Sequence, residues 1–236
     1  MNDLKTRYRI FPVGDSALAV DYDPPVDESL HRDILDRFYY LQQHPLPGMQ
    51  EVSPAYCSLT IYYDVMATRK LSPGHLTAFE FLKEQVEHFL QVPVPANQSN
   101  SKTIQIPVCY DPALAMDLYK VADAKRMTPE KIIELHTSRT YTVYMLGFLP
   151  GFAYLGETDE ALALPRKPAP ENVEAGSVGI AARQTGVYPL ASPGGWHIIG
   201  RTYTQLFDKD NKDPVLLKAG DQVQFYSISR DEFENH

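Results

Sequence analysis

Residues 175–207 read AGSVGIAARQTGVYPLASPGGWHIIGRTYTQLF. Six of the chain's 13 glycines and its single tryptophan fall in this window, which contains no Asp, Glu or Lys. Short β-type runs divided by Gly and Pro turns extend on either side of it: Tyr141 to Leu146 and Ser177 to Ala182 read as strands, and a last one lies near Asp221 to Ile228. Several short strands with turn residues between them predict a barrel or a sandwich. Arg183, His197 and Arg201, with no acid in the window, favour an anionic ligand group, because guanidinium forks match carboxylate and phosphate geometry. The structural alternative is that the glycines serve tight turns and the arginines bind backbone carbonyls.

Upstream of this window, Phe148 to Gly156 (FLPGFAYLG) places Pro-Gly at the centre of a type II turn between aromatics that either pack over it or line a pocket. His136 ends a helical stretch just before a strand, where it can exchange protons or interact with the helix C-terminus. Thr103 to Cys109 alternates as a strand, and helices are expected over about Ala113 to Lys125 and, behind a Thr128-Pro129 cap, over Glu130 to Ser138.

The N-terminal third has a different grain. Tyr8 to Pro12 and Ala17 to Tyr22 flank Gly14-Asp15 as a β-hairpin. Leu30, Ile34, Phe38 and Leu41 recur at helical spacing between Pro25 and Gln43. Strands follow at Met49 to Val52 and Cys57 to Tyr63, and Ser72-Pro73 reads as the cap and first position of a helix burying Leu76, Phe79, Leu82, Val86 and Phe89. Between the two regions, Gln91 to Lys102 (QVPVPANQSNSK) has the composition of a linker. The expected organisation is α+β: a small N-terminal α/β sandwich domain over residues 1–92, a linker over 93–102 and a β-barrel domain over 103–236.

The bulk properties limit the function. A chain of 236 residues with 22% charged residues and a net charge of −8 is globular and a poor general partner for nucleic acid. No apolar run approaches the ~20 residues of a membrane helix, and Met1 to Ile10 is too polar for a signal peptide, so a cytoplasmic protein is expected. Cys57 and Cys109 read as buried reduced thiols, and no histidine spacing suits a metal. There is no Gly-x-x-x-x-Gly-Lys-[Ser/Thr] loop, no dinucleotide fingerprint and no Gly-x-Ser-x-Gly elbow.

Phe148 to Gly156, Leu164-Pro165-Arg166, Ala175 to Ile180, Gln184 to Pro189 and Ser192 to Thr202, together with Gly14 to Leu18, Pro54 to Leu59 and Ile106 to Tyr110, resemble the family of 5-oxoprolinase B subunits. That family is also called allophanate hydrolase subunit 1 or the sporulation-kinase inhibitor family. The resemblance implies a cyclophilin-like barrel for the second domain. It also implies membership of a heteromeric complex, with homologues of the 5-oxoprolinase C and A subunits, that converts 5-oxo-L-proline to L-glutamate with ATP hydrolysis. ATP would sit in the assembled complex, with no cofactor held by this chain alone and no activity of its own. On this reading His136, Arg166 and Arg201 are the catalytic candidates, and Gln184, Thr185, Tyr188, Gly194 and Gly195 the ligand-binding ones. The family also includes a regulatory protein that inhibits histidine-kinase autophosphorylation, and a histidine kinase is the alternative partner. Similar modules occur in urea carboxylase, against which the short chain and the missing biotin-carrier segment weigh. Phe148, Phe152, Tyr154, Tyr188 and Trp196 are expected either to form one exposed face, docking the C-subunit homologue through residues 140–205, or to fill the barrel core.

Overall fold

The computed structural model describes residues 8–23, 28–96 and 102–236. The chain divides into two compact units, Met1–Asn100 and Ser101–His236.

In the first unit, β1 (Tyr8–Pro12), β2 (Ala17–Tyr22), β3 (Met49–Pro54) and β4 (Ser58–Tyr63) form an antiparallel sheet in the order β1-β2-β4-β3. Helix α1 (Glu28–Gln43) packs on β3 and β4. Leu18 and Val20 of β2, Leu59 and Ile61 of β4, and Ile34 and Leu41 of α1 are fully or almost fully buried. Each such side chain removed from water contributes about 1.5–3 kcal/mol.

The sheet and α1 follow the sequence pattern, with residues 24–27 at the expected helix start lying outside the described residues. Ser72-Pro73 does not. Ser72 is the C-cap of an additional helix, α2 (Val65–Leu71), its amide donating to the Thr68 carbonyl. The next helix, α3 (Ala78–Gln91), starts from Thr77, whose side chain and Glu80 form a reciprocal capping box at 3.1 and 2.7 Å. Two cap signals stand five residues apart, and the one whose partner three residues on is a glutamate starts the helix, because it satisfies two free amides instead of one. The expected linker is described as far as residue 96, and 97–101 fall outside the described residues.

The second unit is a closed seven-stranded barrel. Its strands are β5 (Thr103–Cys109), β6 (Thr140–Leu146), β7 (Ala153–Gly156), β9 (Ser177–Ala181), β10 (Gln184–Val187), β12 (His197–Arg201) and β13 (Gln222–Ile228). They run around the barrel as β10-β7-β6-β13-β5-β12-β9, with β9 pairing back onto β10. Every pairing is antiparallel except that of β13 with β5, which runs in parallel from Gln222 opposite Thr103 to Ile228 opposite Cys109. A two-stranded ribbon of β8 (Glu171–Val173) and β11 (Ser192–Gly194) stands apart from the barrel sheet, and α6 (Arg230–Glu234) follows β13. Closure leaves no free edge on the main sheet.

Helix α4 (Leu118–Lys125) packs on β12, and α5 (Pro129–Thr137) on β13. The helix expected from Ala113 begins five residues later, after turns in which the Ala113 amide bonds the Asp111 carboxylate. Asp111 there satisfies an amide locally, which favours a turn over a helix.

Helix α5 places His136 in the core with no exposure, stacked on Phe225 with ring centroids 4.6 Å apart. Its two ring nitrogens lie 2.8 Å from the Tyr110 hydroxyl and 2.8 Å from Thr185 Oγ1. Thr185 gives its one proton to the Gly179 carbonyl at 3.1 Å. It therefore accepts from His136 Nε2–H, and His136 Nδ1 accepts from the Tyr110 hydroxyl. His136 is a neutral strut between α5, β10 and Tyr110 just after β5, and burial lowers its pKa from 6.5 to about 3. In the first unit burial likewise brings His31 to about 4.

A histidine buried neutral binds fewer protons than it does in the unfolded chain, so its stabilisation is complete above pH 6.5 and is lost as pH falls from there toward the folded value. For His136 the loss by pH 5 is about 2 kcal/mol. The expected outcome is a urea midpoint for the barrel unit that drops between pH 7.5 and pH 5, compared in a Thr185→Val control that removes the acceptor of Nε2–H.

Candidate functional site

Three stretches converge on one side of the barrel unit around a cavity of about 270 Å³, lined by Phe148, Phe152, Tyr154, Arg166, Lys167, Pro170, Tyr188, Pro193, Gly194, Gly195 and Trp196. The first is the loop between β6 and β7. Its Leu149–Phe152 turn is closed by the Phe152 amide on the Leu149 carbonyl at 3.0 Å, with Gly151 at φ +82°. This is the type II geometry that Pro150-Gly151 predicts. A Cβ on Gly151 would lie 2.8 Å from Phe207 Cβ, so the site needs glycine on both counts.

The aromatics of this loop meet those of the second stretch edge to face. Phe152 is the hub, with ring centroids 4.9 Å from Tyr154, 5.2 Å from Tyr188 and 5.4 Å from Trp196. With Val173, Ala181 and Ile198 they form a second hydrophobic core, distinct from the main core of the unit. Phe152, Tyr188 and Trp196 are at most 4% exposed, and Tyr154 is partly buried. The expectation of one exposed face is thus corrected: Phe152, Tyr188 and Trp196 fill a core of the barrel unit, as the alternative had it, though a second one beside its main core. Phe148 is the exception, 60% exposed and at φ +70°, with its ring edge-on to Phe152 and Tyr188.

The third stretch is the segment after Pro165. The Lys167 amide donates to the Gly195 carbonyl at 2.8 Å, and its ammonium, on a side chain 8% exposed, reaches Asp117 Oδ2 and Glu171 Oε2, each at 2.8 Å. Asp117 is buried beside α4. Its Oδ2 also accepts the Ile198 amide at 2.9 Å, Oδ1 accepts from Lys120 at 3.1 Å, and its own amide donates to the Ile198 carbonyl. Burial alone would raise the Asp117 pKa, but the bonds from Lys167, Ile198 and Lys120 hold it below the usual carboxylate range. Burial would lower that of Lys167, and the two carboxylates raise it instead. Both groups are charged at neutral pH and their charges are mutually satisfied. Arg166, next in the chain and exposed at the cavity, has no hydrogen bond or ion pair among the described residues.

Of the residues expected to bind ligand, the structure gathers Arg166, Tyr188, Gly194 and Gly195 at the cavity. Thr185 and His136 are core struts, and Gln184 is a half-buried strand residue opposite Gly156 and Ala181. Arg201 donates to the Ala175 carbonyl at 2.9 Å and lies 3.9 Å from Glu174. Arg183 pairs with Glu157 at 2.6 Å, and His197 bonds the Pro165 carbonyl at 2.9 Å. The acid-free window therefore does not leave its cations free: Glu157, Pro165 and Glu174 arrive from outside it, and the Ala175 carbonyl comes from its own first residue. Sequence reasoning misses Lys167 and Asp117. Arg166-Lys167 is visible as a cation pair, but Asp117 gives no signal of its place at the site, since the partners that put it there, Lys167 and Ile198, lie 50 and 81 positions away.

The two free cysteines are Cys109, buried as expected, and Cys57, only partly buried. Among the described residues no group of three or more His, Cys, Asp or Glu could hold a metal, and no helix is long and apolar enough to cross a membrane.

Residues 8–217 match the family model for the carboxyltransferase domain, subdomain C and D. The chain is 40% identical to the 5-oxoprolinase B subunit of Bacillus subtilis (strain 168), over 98% of this chain and 97% of the relative. It is 38% identical to the 5-oxoprolinase B subunit of Haemophilus influenzae, over 92% of this chain and 96% of the relative. A solved structure of a conserved uncharacterized protein from Pyrococcus horikoshii superposes with a TM-score of 0.55 at 35% identity, covering 95% of this chain and 100% of the other.

Asp117→Ala removes the acceptor of a buried ammonium and of the Ile198 amide together, and is expected to cost about 3 kcal/mol or more, because the ion left behind stays buried. Chemical denaturation measures it, and Lys120→Ala, which removes only the partner on an exposed side chain, should lie within about 1 kcal/mol of the parent.

Proposed function

The chain belongs to the family of 5-oxoprolinase B subunits, and from that premise we propose that it works within an ATP-dependent complex that converts 5-oxo-L-proline to L-glutamate. The observation that carries this reading is the 40% identity running through 98% of the chain and 97% of its Bacillus subtilis relative, so that both units, and not the barrel alone, are shared. The partners in this reading are homologues of the A and C subunits of 5-oxoprolinase, working in the cytoplasm where ATP is available.

The chemistry explains why several chains are needed. A lactam carbonyl is a poor electrophile. Transfer of the γ-phosphoryl group of ATP to the amide oxygen releases ADP and makes C5 susceptible to water. Addition of water, loss of phosphate and cleavage of the C5–N bond then yield glutamate. Each step gathers charge that cations and N–H donors must stabilise. This chain carries no phosphate-cradling loop of the Gly-x-x-x-x-Gly-Lys-[Ser/Thr] kind, so the ATP site belongs to the assembled complex. Its own contribution is the cavity beside Arg166, Tyr188, Gly194 and Gly195.

Co-expression with the A-subunit and C-subunit homologues of the same genome should give a co-purifying complex that forms glutamate and ADP in equal amounts when 5-oxo-L-proline and ATP are both supplied. The purified single chain should form neither. Sustained glutamate formation by the single chain, or a fully assembled complex inert toward 5-oxo-L-proline, would refute the assignment.

A further inference from the structure

We propose that Gly147, Phe148 and Leu149 form a hinged aromatic lid on the cavity of the barrel unit: the ring of Phe148, exposed at the rim in this structure, swings across the mouth to the open wall at Gly195. The lid follows from the geometry of this chain, and only the turnover arm of its test rests on the 5-oxoprolinase reading.

The loop between β6 and β7 has a fixed half and a loose half. Pro150, Gly151 and Phe152 are fixed: the Phe152 amide closes the turn on the Leu149 carbonyl at 3.0 Å, the Phe152 carbonyl accepts the Gly147 amide at 3.1 Å, and Gly151 is wedged against Phe207. Ahead of them the Leu149 amide donates to the Gly147 carbonyl at 2.9 Å, with Phe148 between the two at φ +70°. A three-residue turn with a positive φ at its centre is the strained member of its class, and a bulky side chain in the left-handed region is an outlier. Such strain persists only where the surroundings hold it, and it collects at clamps and switches. Here it is held by one backbone bond and two edge-on ring contacts, to Phe152 with centroids 5.6 Å apart and to Tyr188 at 6.3 Å. The ring nevertheless stays 60% exposed. Strain and an uncovered aromatic both oppose this arrangement, so a second one lies close to it in free energy, and an occupant of the cavity that offers the ring a surface to cover tips the balance.

Two glycines mark the hinge and the place the ring goes. A Cβ on Gly147 would make only ordinary contacts, 3.7 Å from Met145 Cε and 4.0 Å from Tyr154 Cε2, and Gly147 does not have a left-handed φ. Gly195 lines the same cavity as Phe148; a Cβ there would meet nothing nearer than the Lys167 carbonyl at 4.0 Å, and its φ is not left-handed either. Gly194 differs, because a Cβ on it would lie 2.5 Å from the Tyr188 hydroxyl, and packing alone requires glycine there. Glycine carries an entropic cost on folding that alanine avoids. At Gly147 and Gly195 the open arrangement does not call for it. At Gly147 glycine leaves the backbone free to turn, and at Gly195 it leaves room for a ring to arrive.

The isolated chain is made with 4-fluorophenylalanine at position 148 and followed by fluorine NMR. The shift between light and heavy water measures exposure of the ring, and relaxation dispersion measures exchange on the microsecond-to-millisecond timescale of lid motion. The expected result is exchange between an exposed and a shielded state. Leu149→Pro removes the amide that closes the strained turn and confines Phe148 to extended backbone, so only the shielded state should remain. Gly147→Val, whose Cβ the open loop accommodates, should leave only the exposed one. Phe148→Gly should melt no lower than Phe148→Ala, because glycine is unstrained at a positive φ. Melting temperatures identify any variant that has not folded, and the spectrum of the parent decides without it. A single exposed signal without exchange in the parent, an equally exposed one in Leu149→Pro, or a Phe148→Gly variant that melts below Phe148→Ala overturns the proposal. In the assembled complex, Leu149→Pro and Gly147→Val should each lower kcat for 5-oxo-L-proline about tenfold or more, since the first cannot open and the second cannot close. If the complex is active and both variants match the parent, the lid falls and the 5-oxoprolinase reading stands. If the complex is inert toward 5-oxo-L-proline while the fluorine exchange is present and answers to both variants, the 5-oxoprolinase reading falls and the lid stands.

Discussion

The carboxylate of Asp117 holds the cavity side of the barrel unit together. It joins the start of α4, the middle of β12 and the loop that carries Arg166, through a two-way backbone link to Ile198 and an ion pair with Lys167. A buried ion pair is a weak source of net stability, because desolvation offsets most of the attraction. Its value here is geometric. Lys167 is fixed at both ends, by its amide on Gly195 and its ammonium on Asp117, so the neighbouring Arg166 leaves a rigid base even though its own side chain is in solvent.

The aromatic cluster solves a second problem. The closed barrel takes its core from β-branched and aliphatic residues such as Val178, Ile180, Val187 and Ile199, and the ribbon of β8 and β11 stands outside that sheet. Phe152, Tyr188 and Trp196 supply a separate core for it, packed edge to face with centroids 5.2 and 5.4 Å apart. Edge-to-face packing specifies geometry as well as burying area. The cavity therefore has walls set by ring orientation on one side and by charge pairing on the other.

His136 shows how a chemically versatile residue is withdrawn from chemistry. It is fully buried, with Phe225 stacked on its face and both nitrogens bonded to neutral hydroxyls, so no bonding partner favours its charged form. Its place at the end of a helix, where a protonated imidazole would interact well with the terminal carbonyls, suggests the opposite. Desolvation outweighs that interaction once the helix is packed on β13.

The amino-acid sequence by itself determined the element types, the α+β class and most of the turns, because these depend on residues adjacent in the chain: alternation at Tyr141–Leu146, helical spacing from Leu30 to Leu41, Pro150-Gly151 at a left-handed position. It failed where two local signals competed, as at Ser72 and Thr77, and the glutamate completing the capping box decided between them. Half of the candidate site was legible in the same way, since Arg166, Tyr188, Gly194 and Gly195 lie in segments of unusual composition. The other half was decided by tertiary structure alone. Nothing near Asp117 points to Lys167 or Ile198, nothing near His136 points to Thr185, and no window reveals that Gly194 is demanded by Tyr188 while Gly195 is not. Closing a barrel brings residues 50 and 81 positions apart into hydrogen-bonding distance, and burial then determines which of them stays charged, which is neutral and which remains free to meet a ligand.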